Sequence, residues 1–248
     1  MFKENIRLSH VPFKSIEIAS SSCMQGFLRI NKKAITVKEM RKVDARAVSL
    51  GLPIYLMMEN AGNALASQLL LGLRGNVRGK KVAIVCGLSN NGGAGFSSAR
   101  HLSYYGANVS VILLGRPAHI RTRDAKLQWT TIEKTNVISK ITVEGKNDLR
   151  RMKMTIADSD GIIDAILGTG YSGGKIREPA SSAIDSINNS VAYIVSNDVP
   201  SGVDADTGII QEKAVAPDYT IILHRMKLGL QNKKIVTGST NIVSIGIP

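Results

Sequence analysis

Between the apolar run Val82 to Cys86 and a helix-like stretch opening at Phe96 stand six residues, Asn90-Asn91-Gly92-Gly93-Ala94-Gly95. Strand, glycine-rich loop and helix in that order form the opening of an α/β unit. The arrangement presents backbone N–H groups and a helix N-terminus to an anionic ligand. The amides of Asn90 and Asn91 add donors and acceptors that a plain phosphate loop lacks. The G-x-G-x-x-G dinucleotide fingerprint is absent, and no G-K-[ST] follows as in a Walker loop. Taken alone, the segment predicts a small-molecule site on an α/β sheet.

The rest of the chain repeats the alternation. Apolar runs predict strands near 82–86, 108–114, 136–140, 161–166, 191–196, 218–223 and 241–245. Helical spacing fills 96–105, 122–134, 146–157 and 179–188. Strands separated by helices imply a mostly parallel sheet covered on both faces. No helix pattern separates the last two strands, so that edge is expected to be antiparallel or loop-linked. Upstream, Thr36-Val37-Lys38-Glu39 reads as a capping box, starting a helix that stops at Gly51. Pro53 opens a second helix, 54–71, whose methionines read as core filler. The domain organisation is an N-terminal extension over 1–34 and one domain over 35–248.

Composition narrows the class. A length of 248 residues with 44% hydrophobic content suits one α/β domain with a sizeable core. No apolar run is long enough to span a membrane, and a cytoplasmic location is expected. The two cysteines, Cys23 and Cys86, provide neither a disulfide framework nor zinc spacing. The net charge of +13 attracts phosphates, but the basic residues are scattered and only 4% of the chain is aromatic. A solvated basic surface therefore outweighs a nucleic-acid groove. The first thirty or so residues are Ser-rich and lack the apolar core of a secretory signal.

Three segments should meet beyond the carboxyl ends of the strands, where open α/β sheets bind ligands. The first is Asn90 to Gly95. The second is Asp164-Ala165-Ile166-Leu167-Gly168-Thr169-Gly170, continuing through Tyr171, Ser172, Gly173 and Gly174 as a flexible loop. Asp164 stands in an apolar strand, where an unpaired carboxylate costs roughly several kcal/mol, so it needs either a cation or several donors. The third is Asn197-Asp198-Val199-Pro200-Ser201-Gly202, with Asp198 at a strand end facing the cleft. H-E-x-x-H, C-x-x-C and G-x-S-x-G are absent. The four histidines are scattered, and His101 reads as a packed or surface residue.

In order, these segments resemble the YjeF N-terminal-domain family, the NAD(P)H-hydrate epimerases. The resemblance covers about Ile35 to Pro248. It rests on Thr36 to Met40 with Asp44, Met58-Glu59-Asn60-Ala61-Gly62, Asn90 to Gly95, Asp164 to Gly170, Asp198 to Gly202, Ala216 to Thr220 and Lys227 to Leu230. It implies a Rossmann-like three-layer sandwich that interconverts the C6 epimers of hydrated NADH and NADPH in cofactor repair. It also implies a potassium ion held by Asn91, Asp164 and Ser201. Substrate contacts would come from Asn90, Asn91, Gly92, Gly93, Ala94, from Gly168 to Gly174, and from Asp198, which is the expected acid/base. The implied partner is a separate NAD(P)H-hydrate dehydratase, because no room for one remains after Pro248; oligomeric state is left open by the sequence, with the N-terminal helices offering a face for a homodimer. One departure stands out. The family has aspartate where this chain has Ala94, and the alternative is a degenerate domain that binds nucleotide or RNA, or dimerises, without catalysis.

Overall fold

The computed structural model describes residues 33–248. The extension read over 1–34 therefore lies outside the described residues, except for its last two positions, as does Cys23. Two helices open the described chain, α1 (Val37–Ser49) and α2 (Ile54–Gly72). Thr36 caps α1 as the sequence requires. The Glu39 amide donates to Thr36 Oγ1 at 3.2 Å, and the Thr36 amide donates to Glu39 Oε2 at 2.9 Å. Such a cap stabilises a helix by about 1 kcal/mol.

Seven strands follow, separated by helices except between the fifth and sixth. They are β1 (Lys81–Cys86), β2 (Asn108–Leu113), β3 (Ser139–Thr142), β4 (Gly161–Ala165), β5 (Tyr193–Asn197), β6 (Tyr219–Leu223) and β7 (Ser239–Val243). The intervening helices are α3 (Asn90–Tyr104), α4 (Arg123–Glu133), α5 (Lys146–Ala157), α6 (Ala180–Asn188) and the short α7 (Lys234–Thr237). The sheet order is β3-β2-β1-β4-β5-β6-β7, with every pair parallel. This corrects the expectation for the last edge. β7 runs parallel to β6, because α7 and the turns around it carry the chain back before β7 begins.

Strand alternation sorts the core into two layers. Val82, Ile84 and Cys86 face α2, α3 and α4, while Ala83 and Val85 face Met152 and Ile156 of α5 and Ala183, Ile184 and Ile187 of α6. Burying both faces explains why β1 reads as an apolar run after Lys81 and why β4 is apolar apart from Asp164. Phe96 of α3 meets Trp129 of α4 edge-on, with ring centroids 5.2 Å apart.

The glycine-rich segment was expected as a loop, and here the structure differs. Asn90 to Gly95 is the first turn and a half of α3. Glycine ordinarily weakens a helix, so tertiary packing must favour it here. A Cβ on Gly92 would lie 2.1 Å from the carbonyl oxygen of Gly87, and one on Gly95 would lie 2.6 Å from Cys86 Sγ. The glycines therefore let α3 press onto the end of β1. The strand order reverses between β1 and β4, where a doubly wound sheet leaves its crevice.

Candidate active site

At that crevice a cavity of about 490 Å³ opens. Its lining includes Ser89, Asn90, Asn91 and Ala94 from the start of α3, Leu167 to Tyr171 after β4, and Asn197 and Asp198 at the end of β5. The three chain-distant segments singled out in the sequence thus share one space. α3 begins with no side-chain cap at Ser89, and its first amide bonded within the helix is Gly93 N–H, which donates to Ser89 O at 3.1 Å. The amides of Asn90 and Asn91 remain for a ligand, with the positive end of the helix dipole behind them. Gly92 and Gly93 lie buried beneath this surface, and Gly93 packs against Met58.

Asp164 and Ser201 lie under the cavity floor and are wholly buried. The Asp164 carboxylate accepts hydrogen bonds from the Ser201 hydroxyl, the Ser201 amide at 2.9 Å, the Ser196 hydroxyl at 2.8 Å and the Ile166 amide at 3.3 Å. All four donors are uncharged. Burial pushes the Asp164 carboxyl above the ordinary aspartate range, and these hydrogen bonds only partly reverse it. Next to it, Asn91 Nδ2 donates to Leu167 O at 2.8 Å, and Asn197 Nδ2 donates to Asn91 Oδ1 at 2.9 Å. Asn197 Oδ1 is buried without a hydrogen-bond partner among the described residues.

These groups suit an alkali cation. They offer carboxylate, amide, hydroxyl and carbonyl oxygens, around a carboxylate with no cationic partner among the described residues. Among the described residues no three His, Cys, Asp or Glu side chains gather as a metal cluster, which leaves this oxygen set unsuited to a soft transition metal.

Asp198 is organised differently. Its backbone is left-handed, with φ of +65°. Aspartate adopts that region more readily than most residues, and such strain concentrates at functional positions. One oxygen, Oδ1, is anchored by the Leu223 amide at 2.9 Å and by an ion pair with Lys227. The other has no donor among the described residues and is free for the cavity that Asp198 lines. The Lys227 side chain is 0% exposed, and its ammonium also donates to Leu223 O at 2.9 Å. A parallel bridge between Ile35 and Lys227 ties the entry of α1 to this loop. From α1, Arg41 and Asp44 then reach the same cavity.

Sequence reasoning missed several of these residues. Lys227 entered only as part of a motif, since lysine is almost never fully buried. Its one local signal is position, four residues beyond the end of β6. Arg121 and Thr122 also line the cavity unannounced, and Asn197 was named only as part of its segment. Conversely, Ser172, Gly173 and Gly174 were expected at the ligand but are absent from the lining. They continue into a strap in which Tyr171 OH donates to Gly174 O at 2.6 Å and Gly174 N–H donates to Gln211 Oε1 at 2.5 Å. Glu59 accepts from Ser97 at 2.9 Å, pairs with Arg100 and meets His101 at 2.8 Å, so it fastens α2 to α3 behind the site. His101 is thus a structural partner of Glu59, as its sequence context suggested.

A seven-stranded parallel sheet with amides, carboxylates and a deep cleft at its switch point defines a Rossmann-like, nucleotide-type ligand site. The chain belongs to the family described as YjeF-related protein N-terminus, which matches residues 55–229. It is 40% identical over 215 residues to an NAD(P)H-hydrate epimerase of Nitrosopumilus maritimus, covering 86% of this chain and 95% of that one. It is 41% identical to a bifunctional NAD(P)H-hydrate repair enzyme, Nnr, of Methanothermobacter thermautotrophicus, covering 91% of this chain but 43% of that longer protein. Among solved structures, yeast ynu0 (YNL200c) superposes with a TM-score of 0.70 at 26% identity, over 86% of this chain and 88% of the other. Among the described residues no helix is long and apolar enough to cross a membrane.

Proposed function

We propose that this chain is an NAD(P)H-hydrate epimerase that interconverts the two C6 epimers of hydrated NADH and NADPH. The observation that carries the reading is a carboxylate, Asp198, with one oxygen anchored and one free for a cavity that also receives the amide-rich start of α3. A dinucleotide needs both features. Its diphosphate suits the helix N-terminus, and its reduced ring needs a positioned acid/base.

The chemistry asks little more. C6 of the hydrated ring carries a hydroxyl and adjoins the ring nitrogen. Protonation of that hydroxyl lets the C6–O bond break and water depart, while the nitrogen lone pair forms an iminium. Water then adds to the opposite face and loses a proton to a base, giving the other epimer. The free Asp198 oxygen is the acid/base for this exchange, and Lys227 holds the carboxylate in place. Potassium held by Asn91, Asp164 and Ser201 would supply the positive charge that Asp164 lacks and fix the floor beneath Leu167 and Gly168.

Ala94 favours a second reading, in which the domain binds without catalysis, because it removes a carboxylate from the lining. The retained Asp198 argues against it. Both readings meet one assay. Purified protein receives a single epimer of hydrated NADH, and its approach to the epimer mixture is timed against the spontaneous rate. An accelerated approach supports the enzyme, and an unaccelerated one leaves only the binding domain. Epimerisation alone removes no hydrate, so a dehydratase is the activity this one serves. Dimerisation through α1 and α2 would use Leu50, Leu56 and Leu71, which the fold leaves exposed, and sedimentation tests it.

A further inference from the structure

Asp198 is not the cavity's only carboxylate. Asp44 lines the same space from a different wall, helix α1, whereas Asp198 comes from the end of β5. Asp44 is half-buried and takes part in none of the described hydrogen bonds or ion pairs. It nevertheless lies within the electrostatic reach of both Lys227 and Asp198. The charged groups that line the cavity around it are Arg41 on its own helix, Arg121 ahead of α4, Lys227 after β6 and Asp198. With Lys227 spoken for by Asp198, this leaves Asp44 as an unanchored acid inside a site whose expected substrate carries a hydroxyl.

Epimerisation by loss and return of water has a requirement that one carboxylate meets poorly. The departing hydroxyl and the arriving water occupy opposite faces of the ring. A single fixed group serves one face well, while two groups on different walls serve both. Resting on the epimerase reading, we propose that Asp44 is a second catalytic residue. In this scheme it donates the proton to the C6 hydroxyl of one epimer while Asp198, held by Lys227, receives the proton from water entering on the other face.

The step balances. The Asp44 O–H bond breaks as its proton joins the hydroxyl, the C6–O bond breaks, and water leaves with the iminium behind it. A new C6–O bond forms from water on the second face, and that water's proton goes to the Asp198 carboxylate. No electrons are exchanged with any other molecule. The enzyme ends with the proton on Asp198, which is the form that works on the other epimer, and solvent in the cavity resets it. A carboxyl whose surroundings favour its protonated form suits the role of acid. Burial raises the Asp44 carboxyl above its ordinary value, with Lys227 opposing and Asp198 reinforcing the shift. Asp198 is held in an ion pair with the buried Lys227 ammonium.

The test uses the whole chain and one epimer of hydrated NADH, with kcat and KM followed across pH. For the wild type, activity should decline on the alkaline side as Asp44 loses its proton. Asp44→Asn should lower kcat by ~10²–10⁴-fold with little change in KM, and should erase that alkaline decline. Asp44→Glu keeps an acid and should retain a decline at a displaced pH with part of the rate. Binding of NADPH, a stable probe, should be unchanged in both variants, and their thermal midpoints should not fall. An accelerating wild type whose Asp44→Asn variant keeps its rate, or keeps the same alkaline decline at lower rate, would overturn the assignment alone. So would weakened NADPH binding with kcat intact. If Asp44→Asn does not fold, Asp44→Glu decides, and an undisplaced decline counts against the assignment. A wild type that accelerates nothing removes the epimerase reading itself and this inference with it.

Discussion

Two carboxylates end neighbouring strands of the sheet a few residues apart in depth, and the chain treats them in opposite ways. Asp164, in β4, is sealed under the floor and surrounded by hydroxyls and amides. Asp198, just after β5, is anchored by a lysine and left with an oxygen for the cavity. The first has polar company and, among the described residues, no countercharge, which is why the proposed potassium ion is put beside it. The second brings its cation with it, so it needs nothing from solution and has an oxygen to spare for substrate. On the proposed reading, support and chemistry are separated onto adjacent strands.

The largest effect should come from the reactive member. Asp198→Asn should lower the epimerisation rate by ~10²–10⁴-fold, and a variant that equilibrates epimers as fast as wild type would erase the contrast. Next, Lys227→Met leaves Asp198 without its partner. Breaking a buried ion pair costs about 3–5 kcal/mol, and the low end is expected because Asp198 reaches the cavity. Urea unfolding measures it, and a loss below about 1 kcal/mol would mean the pair is dispensable.

A smaller effect tests the other member. Potassium at ten times its dissociation constant should stabilise the chain by about 1.4 kcal/mol, read as a rise in thermal midpoint. Asp164→Asn should abolish that rise, whereas an equal rise in the variant would move the ion elsewhere. The smallest prediction concerns pH. Burial raises Asp44, so the folded chain holds a proton that the unfolded chain has released. Stability should then fall as pH climbs from the ordinary aspartate value, near ~4, to the raised one. Asp44→Asn should flatten that stretch of the stability curve, and an unaltered slope would argue that Asp44 is solvated like a surface acid.

Much of this architecture could be read before any coordinates, because burial on two faces writes apolar runs into parallel strands. β1, β2 and α5 fall within a residue of their expected limits. β3 came three residues late, since Ser139–Thr142 is short, polar at all but Ile141 and marks an edge. The glycine segment was misread for a physical reason. Intrinsic preference says loop, and only the proximity of Gly87 and Cys86 explains why helix wins. The site was legible where turn chemistry and buried charge leave a local mark, as at Asp164 and Asp198. It was illegible where a residue's meaning depends on a distant partner. Lys227 looks like any surface lysine until β5 is beside it, and nothing around Asn197 announces an amide oxygen with no donor.

The intimacy of α3 with the strand it follows bears on how such a site decays. The cleft is shaped at that point by main chain, because Gly92 surrenders the volume that the Gly87 carbonyl fills. A single added methyl there would lever the helix outward and carry its leading amides away from whatever they grip. The sheet, braced by its other helices, would survive the change. A descendant of this chain could therefore lose its ligand through one small hydrocarbon group while every acidic side chain stayed where it was.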